Sequence, residues 1–335
     1  MPKFAKIEGL KIHDVNRMQV PKFWLSREVI LGFALTLFII VPVVVFGGDD
    51  DIYVDEDADG TETGSQLHPY HTISEALKHA DEGTSVHVAK GKYNENITIP
   101  KGVKVSGRKA DKGDVIIRSD NDDKPTVTMR HQTELNYLTI EEGRHGVRIE
   151  EDAKAKLYKV VIKGSDRDGV HIDSAPRDEK HRALLDGVEI EGSKRAGVYS
   201  ERRDLVIINS DIHNNASDGV DLAAGMEAWF EKNRINSNGG SGIKMVLDGA
   251  SVWTKSNSIR SNVREGVEVN AYGAAGNFGL KKADLIGNGR YGVARVARTA
   301  NAWNTFGGII YGTDVNANRI ETNRVGGISP VIRGF

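Results

Sequence analysis

The chain has 335 residues, 45 Lys+Arg against 47 Asp+Glu, a formal net charge of -2 and no cysteine. Disulfides and thiolate metal sites are excluded, and the near-neutral balance argues against nucleic acid as a partner, because neutralising phosphates needs clustered Lys and Arg. The 37 glycines exceed the usual share of about 7%, which points to an architecture with many tight turns.

In chain order, the first element is the apolar run 29–46, VILGFALTLFIIVPVVVF, which carries no charge. As a helix it would measure about 27 Å, close to the hydrocarbon thickness of a bilayer. Lys3, Lys6, Lys11, Arg17, Lys22 and Arg27 precede it, and Gly-Gly-Asp-Asp-Asp follows. The positive-inside rule then predicts a single-pass protein of the cell membrane, with a cytoplasmic tail over 1–28, a transmembrane helix over 29–46 and the remainder outside the cell. A cleaved signal peptide is the competing reading, although the apolar run and the segment before it are both long for one.

Residues 47–66 read as an acidic linker and the start of a cap. Asp55, Asp57 and Asp59, followed by Gly60, match the D-x-D-x-D-G opening of a calcium loop. Gln66 stands where an EF-hand requires glutamate. Calcium is therefore the one cofactor to consider, and a solvated turn is the alternative. HTISEALKHADEG comes next. Thr72 and Glu75 form a capping box, Ile73, Ala76, Leu77 and Ala80 share a face, and Gly83 supplies a stop. The pattern predicts a short helix over about 72–81, the element that covers the open first coil of a solenoid.

From residue 67 onward the chain reads as β. Residues 86–107 hold three alternating runs, and 115–119, 126–130 and 135–140 continue them. A repeat then sets in: an aliphatic residue, Asn or Ser three positions later, then Gly-[Val/Ile]-x-apolar. It appears at Ile162, Ser165 and Gly169, and again at Ile190, Ser193 and Gly197. Further copies lie at Ile212/Asn215/Gly219, Ile235/Asn238/Gly242, Ile259/Asn262/Gly266, Leu285/Asn288/Gly292 and Ile320/Asn323/Gly327, with a shorter variant at Ile140/Gly146. Such a period means a solenoid. Runs such as GVHID and GVEIE alternate with period two and are rich in Val and Ile, so the coils are β and not helical. The predicted fold is an all-β, single-stranded parallel β-helix with right-handed crossovers. Asn is expected to take the left-handed corner conformation and to hydrogen-bond along the stack. Glycine is expected to serve tight packing or positive φ. The stretch INSNGGSGIKM (235–245) is part of this repeat; it lacks the spacing of a P-loop and the third glycine of a dinucleotide loop.

Several segments carry a family resemblance: Tyr53-Val54-Asp55, Asp59-Gly60-Thr61, Pro69-Tyr70, Thr72-Ile73, Ala76-Leu77, Gly91-x-Tyr93-x-Glu95 and Gly102-Val103, together with the later repeats. Over about 52–328 the chain resembles right-handed parallel β-helix proteins of the pectin-lyase-like superfamily. The resemblance implies the fold. It leaves activity open, since members include polysaccharide lyases, glycosidases, epimerases and proteins with no demonstrated reaction. Asn215-Ala-Ser-Asp218-Gly219-Val220-Asp221 is similar to the N-T-D-G-[IV]-D box of polygalacturonase-type hydrolases, but the Asp-Asp, Gly-His-Gly and Arg-Ile-Lys motifs that follow it in those enzymes are missing. That hydrolase activity is therefore not expected.

Two sets of site residues emerge. The outward positions two residues after each repeat glycine are Arg148, His171, Tyr199, Asp221, Lys244, Glu268 and Ala294, and stacking would make them one surface stripe. Asp221, Lys244 and Glu268 on successive coils could serve acid/base chemistry on a uronate, or could simply be a solvated charge ladder. Thirteen residues before the glycine, Leu184, Val206, Trp229 and Trp253 follow one another. If their neighbours face inward, the two tryptophans form a flat platform for sugars, to which Tyr199 and His171 would add; if the register slips, they are core. The leading expectation is binding of a cell-surface or extracellular polysaccharide on the side of the solenoid. The alternatives are a polysaccharide lyase, hydrolase or epimerase, and a structural surface protein that forms homo-oligomers.

Overall fold

The computed structural model describes residues 51–107, 114–272, 274, 276–295, 309–311 and 318–329. The tail 1–28 and the expected membrane helix 29–46 lie outside these residues. Among the described residues no helix is long and apolar enough to cross a membrane.

The short alternating runs form strands because every second residue is Val, Ile or Leu and can be buried on one side. Three such strands complete a coil. Each strand pairs in parallel with its copy in the neighbouring coils, and among the described residues this builds sheets of 11, 10 and 10 strands. The first sheet runs from Asp51–Val54 to Ile309–Tyr311, the second from Gly91–Asn94 to Arg319–Glu321, and the third from Ile97–Ile99 to Gly326–Ile328. The chain visits them in that order in each coil. Asp51–Val54 already pairs with Ser85–Val88, so part of the segment expected to be linker belongs to the first sheet.

The aliphatic residue of the repeat points into the centre. Ile140, Ile162, Ile190, Ile212, Ile235, Ile259 and Leu285 lie in register on successive coils and are fully buried. Each such residue contributes about 1.5–3 kcal/mol by leaving water. The helix α1 (Ile73–Lys78) is shorter than the predicted span and buries Ile73, Ala76 and Leu77 in the same core. Thr72 Oγ1 accepts the Glu75 N–H at 3.1 Å. Glu75 does not close the box; its carboxylate pairs with Lys78 and His79. The carboxylate of Glu95 instead takes the Ile73 and Ser74 N–H groups at 2.9 and 2.8 Å, where the helix dipole favours negative charge.

The close packing expected of glycine and the hydrogen bonds expected along the asparagine stack are both present, but the left-handed corner does not fall on the Asn. The left-handed residue of the corner is the one before the Asn: Asn214, Ser237, Ser261, Gly287 and Thr322 have φ of 55°, 57°, 54°, 66° and 53°. The Asn itself turns inward and joins a buried ladder. Asn215, Asn238, Asn262 and Asn288 each donate their amide to the Oδ1 of the Asn in the next coil, at 2.9–3.0 Å, ending at Asn323. The repeat glycine has ordinary φ and is required for space. A Cβ on Gly219 would lie 2.6 Å from Ile235 Cγ2, 2.7 Å from Gly242 O and 2.8 Å from Asn238 Nδ2.

Candidate functional site

The third sheet carries the Gly-[Val/Ile]-x-apolar strands, and its outward column is the predicted one. Arg148, His171, Tyr199, Asp221, Lys244, Glu268 and Ala294 pair in register from coil to coil. A second column runs beside it that the spacing argument overlooked. From Gly146 to Gly292, the residue before each repeat glycine is His145, Asp168, Ala196, Asp218, Ser241, Glu265 or Tyr291. The first six of these are buried, and they meet the outward column in three groups.

The first group is His145, Asp168 and His171. Asp168 Oδ2 lies 3.3 Å from His145 Nδ1 and 3.0 Å from His171 Nδ1. His171 Nε2 lies 3.3 Å from Asp173 Oδ1, and Asp173 Oδ2 accepts Arg148 Nη2 at 2.7 Å. The Tyr199 ring stacks on His171 at 4.9 Å. Burial opposes charge on His145 and lowers its pKa. Burial would do the same to His171, but its hydrogen bonds to Asp168 and Asp173 outweigh that and push it up to about 9. Burial would raise Asp168; its contacts with the two imidazoles prevail and hold it well below the usual carboxylate range.

The second group is Asp218, Asp221 and Lys244. Lys244 Nζ reaches Asp221 Oδ2 at 2.8 Å and Asp218 Oδ2 at 3.7 Å. Burial works against the ammonium, yet the two acids raise its pKa overall. Lys244 is therefore a firmly protonated ion-pair partner and not a general base at neutral pH. Asp218 is shifted upward, chiefly by burial, against the Ser241 N–H that its Oδ1 accepts at 2.7 Å.

The third group corrects a prediction. Glu268 was expected on an open surface stripe but is fully buried. Ser241 Oγ donates to it at 3.1 Å, Asn270 Nδ2 donates at 3.0 Å, and Arg264 Nη2 lies 3.3 Å away. Glu265, equally buried, pairs with Arg264 and Arg290. Asp221, Lys244 and Glu268 thus share a column without forming one open acid/base centre.

Trp229 and Trp253 stand opposite each other on adjacent strands of the first sheet, Glu227–Glu231 and Ser251–Lys255. Their neighbours Ala228, Phe230, Val252 and Thr254 are buried, and the tryptophans are half-buried and outward. The next rung is Gly279, where a Cβ would lie 2.1 Å from Trp253 Cε3. The missing side chain is what lets the indole extend over that rung. Trp229 Nε1 donates to Glu231 at 3.2 Å. His171 and Tyr199 lie on the third sheet, so the four residues expected to bind glycan divide between two faces.

Asp55, Asp57 and Asp59 do not gather. Asp55 Oδ1 accepts the Asp57 N–H at 3.2 Å in a turn. Among the described residues, the His, Asp and Glu side chains grouped closely enough to hold a metal ion are His145, Asp168 and His171.

A family model described as a right-handed β-helix region matches residues 145–325. The chain belongs to this right-handed β-helix family. Among solved structures it is similar to pectate lyase Pel9A, at 12% identity and a TM-score of 0.61, with 81% of each chain covered. It is also similar to a PL6-family alginate lyase, AlyGC, at 11% identity and a TM-score of 0.53; 82% of this chain is covered but only 41% of that one. At these identities the likeness is one of fold. No curated protein matches the sequence.

Proposed function

We propose that the protein is a cell-surface β-helix that binds a polysaccharide along the side of the solenoid. The observation that carries the reading is the Trp229–Trp253 pair on adjacent rungs, with Trp253 extended over Gly279. Rungs are about 4.8 Å apart, close to the size of a sugar ring, and aromatic faces at that pitch suit stacking on consecutive residues of a glycan. The run continues the outward apolar positions Leu184 and Val206. The polysaccharide lyase structures described above share the architecture, and they support a carbohydrate partner by analogy of fold alone. In this reading residues 29–46 hold the protein in the membrane with the β-helix outside, and α1 closes the first coil.

A second reading, catalysis on a polysaccharide at the third sheet, is favoured by one observation. Asp218 is buried and shifted upward beside Lys244 and Asp221, and perturbed acids beside a charge partner mark candidate sites. The test is a glycan array of neutral and uronate polymers probed with the wild-type chain and with the double variant Trp229→Ala/Trp253→Ala. Binding by the wild type that is lost in the folded double variant supports the platform. Binding that survives the double variant moves the site elsewhere. Release of unsaturated uronates or new reducing ends, abolished in Asp218→Asn, would establish the catalytic reading.

A further inference from the structure

We infer that His145, Asp168 and His171 form a binding site for a divalent transition ion of the zinc class. This site is independent of the glycan reading, and its test contains no sugar. Ligands 2.0–2.1 Å from a tetrahedral ion lie about 3.3 Å from one another. Asp168 Oδ2 stands 3.3 Å from His145 Nδ1 and 3.0 Å from His171 Nδ1, and all three ligand atoms lie within 4.8 Å of one another. Two edges of the ligand triangle already have the length an ion requires, and a bound ion would close the third.

The hydrogen bonding around the group fits the same assignment. Asp168 Oδ2 faces His145 Nδ1 from 3.3 Å and His171 Nδ1 from 3.0 Å, so an ion would take the place of the proton between imidazole and carboxylate, and its binding would release protons. The outer partners are also those of a metal site. His171 directs Nε2 at Asp173 Oδ1, and Arg148 holds Asp173 by two hydrogen bonds of 3.0 and 2.7 Å. The Ala196 N–H binds Asp168 Oδ1 at 3.3 Å, leaving Oδ2 for the ion. Tyr199 stacked on His171 fixes the plane of that ring.

Two imidazoles and a carboxylate match the donor set of zinc and its first-row neighbours, whereas calcium prefers six to eight oxygens. Three protein ligands leave a tetrahedral ion one free position. His145 and Asp168 are buried, and His171 is the partly exposed member, so that position opens on the His171 side of the third sheet. It would take water or an anionic oxygen.

The experiment uses the full chain without an affinity tag, treated with chelator, desalted and titrated with Zn2+ alone. Bound metal is measured by elemental analysis after gel filtration, and Co2+ serves as a spectroscopic substitute. The expected result is one Zn2+ per chain, four-coordinate Co2+ bands, and a midpoint of thermal unfolding that rises with Zn2+. His171→Gln should weaken binding at least tenfold and remove the Zn2+-dependent rise. Asp173→Asn leaves all three ligands in place and should weaken binding roughly 10- to 100-fold; it keeps the test valid if a ligand variant folds poorly. Substoichiometric Zn2+ on the wild type, or unchanged affinity in both variants, would overturn the assignment and leave the group as an ion-paired hydrogen-bond network.

Discussion

Removing one asparagine from the middle of the ladder should cost far more than its size suggests. Asn238 makes four side-chain hydrogen bonds and is fully buried. Its amide donates to Ile212 O at 3.2 Å and to Asn262 Oδ1 at 3.0 Å, and its Oδ1 accepts Asn215 N–H at 3.2 Å and Asn215 Nδ2 at 3.0 Å. In Asn238→Ala some of the partners keep a second contact. Asn262 Oδ1 retains the Asn238 N–H, and Asn215 Nδ2 retains Ile190 O. The Asn215 N–H loses its acceptor where water cannot easily reach. At about 1 kcal/mol for each neutral hydrogen bond, and about 1–3 for a buried group left unpaired, the loss comes to roughly 3–5 kcal/mol. Guanidinium unfolding followed by far-UV circular dichroism measures it as a shift in midpoint. Asn323 is the control: it ends the described ladder and is partly exposed, so water can replace what Asn323→Ala removes, and the cost should be about 1–2 kcal/mol. A loss below about 1 kcal/mol for Asn238→Ala, or equal losses at the two positions, would refute the argument that ladder burial carries the stability.

Two further substitutions test the same interior and the candidate site. Ser193 occupies the ladder position one coil earlier, but its buried Oγ makes no hydrogen bond, although its N–H already binds Asn215 Oδ1 at 3.0 Å. Ser193→Asn should extend the ladder and stabilise the protein by about 1 kcal/mol; a lowered midpoint in the same unfolding assay would show that the column cannot accept another amide. Asp218 has a folded-state pKa above its unfolded value, chiefly through burial. Its contribution to stability is therefore present below the unfolded value of about 3.9 and is lost as pH rises through the folded value. Asp218→Asn keeps an acceptor for the Ser241 N–H. It should unfold at a higher midpoint than wild type at pH 7, with the gap closing toward about pH 4. A variant less stable at pH 7 would mean that the ion pair with Lys244 outweighs burial.

The fold was legible because its repeat is written in residues whose jobs are local. Val and Ile alternate with the pleat, and the aliphatic, Asn and Gly positions return at nearly constant spacing, so stacking the copies is the simplest way to bury them. Where the reading failed, the cause lay between coils. Intrinsic preference assigns the left-handed corner to Asn. The structure gives that conformation to the preceding residue, even to Ser and Thr, because an inward Asn can satisfy the backbone of two coils at once. His145 and Glu265 escape a local reading because they meet Asp168 and Arg290, 23 and 25 positions away, a distance at which no local pattern flags them; Asp168 joins its near neighbour His171 to His145 across the coils. The signal was nevertheless present in the titratable or hydroxyl residues that recur just before the repeat glycine. Tyr199 and His171 were grouped with the tryptophans on chemistry alone, although their offsets from the glycine already assign them to another strand.

The contacts between coils also bear on function. In a solenoid the inward positions are over-determined: the aliphatic column, the Asn ladder and the Cβ-free glycine interlock so closely that a Cβ on Gly242 would meet Ile259 Cγ2 at 2.4 Å and Asn262 Nδ2 at 2.8 Å. The outward positions carry no such constraint and can change chemistry from rung to rung, as Arg148, His171, Tyr199, Asp221 and Lys244 do. Binding or catalytic groups can therefore be placed along one face without disturbing the coil beneath them. Interior pattern then reports only the scaffold, and function has to be sought where successive rungs bring unlike polar groups together. The buried His145–Asp168–His171 group meets that description most closely. Its charges are satisfied on one side by Asp173 and Arg148, while the outer edge of His171 stays within reach of solvent.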